Sequence, residues 1–166
     1  MAKLNNFLFY FLLILSLIFF GYLRDYLFVN INFQLAKLYY KDYIYTLPEN
    51  LSFLQIFSYN QLFYGKWILT IVFMLIYFLI TCAFIKKIFT EKKYIKWTAY
   101  SFLTTLFISF LFYSYGILFH DYDNGYTLSR VFMGMVQSPL VLMILIPAFK
   151  LSTSSLRWVF FLPLLA

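Results

Sequence analysis

Charged side chains are scarce in this chain: Lys, Arg, Asp and Glu make up 11% of 166 residues, while 64% are hydrophobic and 25% aromatic. A soluble domain averages about one-quarter charged. The apolar residues here also arrive in blocks long enough to cross a bilayer, so a soluble globule is excluded. Cysteine is nearly missing. The single thiol, Cys82, lies inside an apolar block, which rules out an intramolecular disulfide and a thiolate metal cluster. The chain has no recognisable catalytic, cofactor or nucleic-acid motif, no internal repeat and no low-complexity run. Nor does any ionisable residue fall mid-block, which argues against a proton-coupled pump or an ion channel, since these place an acid, His or Arg in the interior.

Four uncharged stretches approach the roughly 20 residues that a helix needs to cross about 30 Å of hydrocarbon. They are 7–23, 67–85, 97–119 and 131–149. The first follows Lys3 but ends in Phe19-Phe20-Gly21-Tyr22-Leu23-Arg24, without the small-residue pattern of a signal-peptidase site, and is expected to remain as an anchor. The apolar stretch Trp158 to Ala166 is nine residues, about 13 Å as a helix. It is too short to span, so residues 150–166 are expected to form an interfacial tail. The sequence therefore predicts one all-α membrane domain of four transmembrane helices.

Loop charges set the orientation, because Lys and Arg are retained on the cytoplasmic side. With both termini inside, the cytoplasmic parts hold Lys3, Lys86, Lys87, Lys92, Lys93, Lys96, Lys150 and Arg157 against Glu91. The whole formal charge of +7 then falls on that face and the outer face nets zero. The basic character is thus a topology signal. It also predicts contact between anionic lipid headgroups and Lys86, Lys87, Lys92, Lys93 and Lys96, and it is no sign of nucleic-acid binding.

The stretch 24–66 between the first two blocks is expected to form a compact extracytoplasmic cap. Leu27, Ile31, Leu35, Leu38 and Asp42 recur at helical spacing, with Asn30, Gln34, Lys37 and Lys41 on another face, which predicts an interfacial amphipathic helix over about 26–41. Pro48 and Glu49 then open a second short apolar stretch, Leu51 to Phe57. Trp67, Trp97 and the tyrosines Tyr22, Tyr26, Tyr39, Tyr40, Tyr43, Tyr45, Tyr59 and Tyr64 suit the headgroup region, with an apolar body and a polar tip.

Small and polar residues mark packed faces in lipid, where helices gain little from hydrophobic sorting. In the third block Ser101, Thr105 and Ser109 recur every four residues, and Gly116 follows near its outer end. In the fourth, Arg130, Gly134 and Gln137 share one face, with Ser138 beside them and Pro139 removing a backbone hydrogen bond at mid-depth. These eight positions, Arg130 apart, are the expected helix-packing and partner contacts. Just before the fourth block stand His120, Asp121, Asp123 and Asn124. As a site, His120 would titrate, Asp121 or Asp123 would orient it, and Arg130 would hold a phosphate or carboxylate, with Arg24 as a further candidate. As structure, Asp-Tyr-Asp-Asn-Gly is ordinary turn composition, and Arg24 and Asp25 are a surface pair. A calcium loop is excluded, because glycine falls one place early and Phe132 replaces the bidentate Glu. No metal or cofactor is expected.

Three segments, Arg24-Asp25-Tyr26-Leu27-Phe28-Val29-Asn30-Ile31-Asn32, Tyr59-Asn60-Gln61-Leu62-Phe63-Tyr64-Gly65-Lys66-Trp67 and Arg130-Val131-Phe132-Met133-Gly134-Met135-Val136-Gln137-Ser138-Pro139, resemble a group of small bacterial inner-membrane proteins, some encoded beside exosortases. That resemblance implies an accessory role in an envelope sorting system. It does not extend to the peptidase activity. An exosortase uses Cys, Arg and His in that chain order near the outer face, whereas here the order is Cys82, His120, Arg130, with Cys82 near the opposite membrane surface. The expectation is a non-catalytic accessory or assembly subunit of the inner membrane, bound to another membrane protein or to its own copies. An outer-face enzyme acting on a lipid-linked or phosphorylated substrate and a small-solute transporter are the alternatives.

Overall fold

The computed structural model describes residues 2–40 and 46–161, with side chains over 7–40, 46–121 and 123–153. It is all-helical, with no strand among the described residues: α1 (Ala2–Tyr40), a 3-10 helix (Glu49–Ile56), α2 (Tyr59–Ile88), α3 (Lys92–Leu118), α4 (Tyr122–Val136) and α5 (Leu140–Phe161). The chain forms two compact units, Met1–Ile76 and Tyr77–Ala166, and α2 contributes to both. Three helices, α1 to α3, are long and apolar enough to cross a membrane, and the bent pair α4–α5 qualifies when taken together.

In the first unit the main departure from expectation is α1. The sequence suggested a span ending at Leu23 and a separate interfacial helix, yet the two are one helix of 39 residues, about 58 Å long. The stretch 24–66 is therefore not a loop over most of its length, and α2 likewise begins eight residues ahead of the expected Trp67. The physical reason is the lack of a breaker. Between Lys3 and Tyr40 there is no Pro and only the isolated Gly21, which a helix tolerates. The charges at Arg24 and Asp25 are accommodated sideways: Arg24 Nη1 lies 3.5 Å from Asp25 Oδ1, and the guanidinium lies 5.9 Å from the centre of the Phe28 ring.

The apolar face of the amphipathic pattern is buried at Ile31 and Leu35 and partly at Leu27, whereas Leu38 is exposed. Ile31 and Leu35 of α1 pack with Leu51 and Leu54 of the 3-10 helix and Leu62 of α2. Pro48, with φ −56°, sets the entry to the 3-10 helix, and its carbonyl accepts the Leu51 N–H at 2.9 Å. The polar half behaves differently, because Asn30 and Gln34 are also buried, at 4% and 3% exposure. Asn30 Nδ2 donates to the Tyr26 carbonyl at 2.7 Å, and Lys66 Nζ ties α2 to α1 by donating to Asn32 Oδ1 at 2.8 Å. Gln34 Oε1 is buried without a hydrogen-bond partner. An acceptor stripped of water and left unpaired costs about 1–3 kcal/mol. Gln34→Leu, similar in volume, is therefore expected to stabilise the protein by about 1 kcal/mol, read from thermal unfolding in mild detergent; a loss of stability would show that the amide is satisfied. Lys41, Asp42, Tyr43 and Tyr45 lie outside the described residues.

In the second unit α3 and α4 form an antiparallel hairpin. The expected fourth block, 131–149, is not one straight helix: α4 ends at Val136, α5 starts at Leu140, and their axes differ by 64° across the break. Pro139 is the cause, since its ring bars the preceding turn and its nitrogen cannot donate. The buried residues of α5, Val141, Leu142, Leu145 and Phe149, recur at helical spacing and face the unit's interior. The expected turn 120–130 is also corrected, because all but its first two residues are helical. Asp, Asn and Gly suit a helix start as well as a turn. The expected tail 150–166 continues α5 as far as Phe161, and residues 162–166 lie outside the description.

Candidate functional site

Three places in the second unit gather the residues singled out from sequence. The first is the junction of α3 and α4. α3 ends at Leu118 with Phe119 as its cap, and His120 takes the left-handed conformation with φ 56°, the reversal that commonly ends a helix. Asp121 then opens α4: its carboxylate accepts from Asn124 Nδ2 at 3.0 Å through both oxygens, and its carbonyl accepts the Gly125 N–H at 3.0 Å. Asp123 is exposed in the first turn of α4, and Arg130 is exposed two turns further along. Arg24, the fifth candidate, belongs to the first unit. Among the described residues no three His, Cys, Asp or Glu side chains come together as metal ligands would.

The junction is shaped by backbone contact. Gly116 and Gly125 meet so closely that a Cβ on Gly125 would lie 2.4 Å from Gly116 Cα and 2.7 Å from Gly116 N, and one on Gly116 would lie 3.0 Å from Gly125 Cα. One step along the hairpin the rings of Phe112 and Phe132 stack at 5.3 Å and 8°. Next, the buried Ser109 hydroxyl lies 2.9 Å from the Ser129 carbonyl and 3.0 Å from its hydroxyl. Ser109 and Gly116 are therefore packing residues within the chain. Ser101 and Thr105 donate to carbonyls of their own helix, those of Trp97 and Ser101. The partners Gly125 and Ser129 were not read from the sequence. The available signal was a second small residue nine positions after Gly116, across a helix junction.

The second place is the break between α4 and α5. The stripe Arg130, Gly134, Gln137 runs from exposed through half-buried to buried, with Gln137 at 3% exposure. A helix broken within a membrane leaves carbonyls and N–H groups that must be satisfied internally. Ser138 serves both sides: its hydroxyl donates to the Met135 carbonyl at 2.9 Å and lies 3.4 Å from the Leu140 N–H, while its own N–H reaches Met135 O at 3.3 Å. The Pro139 carbonyl accepts the Met143 N–H at 3.0 Å and starts α5.

No protein-family model, curated protein or solved structure matches this chain. Any functional reading must therefore rest on its own residues.

The third place is the lysine-rich end, where α2 turns into α3. Phe89, Tyr94 and Phe149 form a triangle of rings with centroids 4.7, 4.9 and 5.7 Å apart. Thr153 Oγ1 donates its one proton to the Phe149 carbonyl at 2.8 Å, so the Tyr94 hydroxyl is the donor in their 2.9 Å contact. α5 is thereby fastened to the first turn of α3. The α4–α5 pair thus meets α3 near Gly116 at one end and at Tyr94 near the other.

Proposed function

We propose that the protein is a non-catalytic, membrane-embedded subunit that docks onto another envelope membrane protein through the N-terminal half of α1, in an exosortase-type sorting system. One observation carries this reading. The most apolar window of α1 has a mean hydropathy of 2.1 and only 6% of it is buried, against 28% for α2. Phe7, Leu8, Phe11, Leu12, Ile14, Leu15, Ile18 and Phe19 are all at least half exposed, and their spacing puts them together on one broad face of the helix. An apolar helix that packs so little within its own chain is suited to packing against another. The small and polar residues of α3 and of the break after α4 support the same choice of face, since Ser109, Gly116 and Ser138 are already engaged internally. In this reading α4–α5 is the fourth crossing of the inner membrane, and the lysine-rich end and both termini are cytoplasmic, in line with the positive-inside rule.

The test is affinity purification of the tagged protein from membranes in mild detergent, with wild type beside a variant carrying Phe11→Ala, Leu12→Ala, Leu15→Ala and Phe19→Ala. Alanine keeps the helix apolar and inserted. A stoichiometric membrane partner lost from the variant is expected. A partner retained at full stoichiometry, or none with wild type, would overturn the reading.

A second reading has support from the break. Gln137, buried beside a 64° bend, resembles in outline the discontinuous helices that hold solutes near the bilayer midplane. Solute transport requires that the purified protein bind a small polar solute and that Gln137→Leu abolish the binding.

A further inference from the structure

We infer that the end of the second unit bearing Lys86, Lys87, Lys92, Lys93, Lys96 and Lys150 is a binding surface for the phosphate headgroups of anionic lipids. All six side chains are exposed. The surface does not depend on the subunit reading, and it goes further than a charge bias between loops in three respects.

First, the charges are held in place. Only Phe89 to Glu91 separates α2 from α3, and Phe89, Tyr94 and Phe149 lock the turn to α5 while Tyr94 donates to Thr153. Lys150 is thereby fixed at the same end as the other five. Second, the cluster is under-neutralised. Glu91 is the one acid at this end among the described residues, and it pairs with Lys93 at 2.6 Å. The other acids of the unit, Asp121 and Asp123, follow the far end of α3, which is 27 residues away, or about 40 Å. Lys92 and Lys96 sit at like-charged i, i+4 positions, an arrangement that costs stability unless an anion offsets it. Third, the surface has the shape of a lipid. Lys96, Tyr100, Leu103 and Phe107 follow one face of α3 at helical spacing, and Tyr100, Leu103 and Phe107 are 59, 60 and 60% exposed. Trp97, 57% exposed, is edge-on to Tyr100 at 6.1 Å, the pairing of rings expected at headgroup depth. A phosphate at Lys92 and Lys96 would direct its acyl chains along Tyr100, Leu103 and Phe107, which continue the same face of α3. A soluble polyanion would have no use for that apolar track.

Charge is what this surface reads, so each neutralised lysine should weaken binding roughly fivefold at low salt. The experiment titrates the detergent-solubilised full-length protein with dioleoylphosphatidylglycerol or dioleoylphosphatidylcholine and counts bound lipids by native mass spectrometry. Wild type is expected to bind the anionic lipid at least about tenfold more tightly. The triple variant Lys92→Gln, Lys93→Gln, Lys96→Gln should lose that preference, and the triple Arg variant should keep it. Glycerophosphoglycerol, the same headgroup without chains, should fail to displace the lipid. Should the Gln variant fail to fold, the wild type still decides, because raising salt from about 0.05 to 0.5 M must erase the preference of an exposed charge surface. Equal affinity for the two lipids, a preference untouched by salt or by the Gln substitutions, or displacement by the chainless headgroup would each overturn the inference.

Discussion

Gly125→Val is expected to unfold the α3–α4 hairpin. A Cβ at this position would lie 2.4 Å from Gly116 Cα, 2.7 Å from Gly116 N and 2.9 Å from the Phe112 carbonyl oxygen. All three obstacles are backbone atoms, so no rotamer change relieves the clash. The helices must separate, and separation pulls apart the stacked Phe112 and Phe132 and the Ser109–Ser129 contact. Overpacking of this kind costs about 3 kcal/mol or more when the backbone cannot yield. Gly116→Ala is expected to cost less, because its Cβ would meet Gly125 Cα and the Asp121 carbonyl oxygen at 3.0 and 3.1 Å. Thermal unfolding in mild detergent gives the order: wild type most stable, then Gly116→Ala, then Gly125→Val. A Gly125→Val protein as stable as wild type would mean that the two helices do not approach this closely.

Tyr94→Ala is expected to have the other large effect. Tyr94 is 4% exposed and touches both Phe89 and Phe149, so truncation removes the centre of the aromatic triangle. Large aromatic truncations in packed sites cost about 3–5 kcal/mol. Tyr94→Phe keeps the rings and loses only the bond to Thr153, for a cost of about 1 kcal/mol. The pair of variants separates packing from hydrogen bonding. Loss confined to the Ala variant assigns the anchorage of α5 to the rings, and equal losses would assign it to the hydroxyl.

The sequence was most legible where composition alone decides. Long uncharged blocks predicted helices near the observed α2 and α3, while Pro139 read as the loss of one backbone hydrogen bond inside a single span, where the chain instead breaks into α4 and α5. What was lost was lost for identifiable reasons. Arg24 and Asp25 read as the end of a span, but a charge pair does not stop a helix that has no Pro or Gly run. Asp121 to Gly125 read as a turn because the same residues that favour turns also open helices. Asn30 and Gln34 read as a wet face, yet both are buried. The aromatic triangle was invisible because 23 Phe and 16 Tyr leave no single ring conspicuous. At the candidate site, Ser109 and Gly116 were found as small residues in a helix, whereas Gly125 and Ser129 became visible only through the hairpin that brings them opposite.

The central claim, that α1 docks onto another membrane protein, is tested most directly by photo-crosslinking in living cells. A photoreactive amino acid is placed singly at Leu12 and Ile18, which are 54 and 65% exposed on α1, and at Leu103 of α3, 60% exposed, as the lipid-facing control. The account predicts one discrete protein adduct of the same mass from Leu12 or Ile18, or both, and none from Leu103. Only lipid adducts at both α1 positions would contradict it.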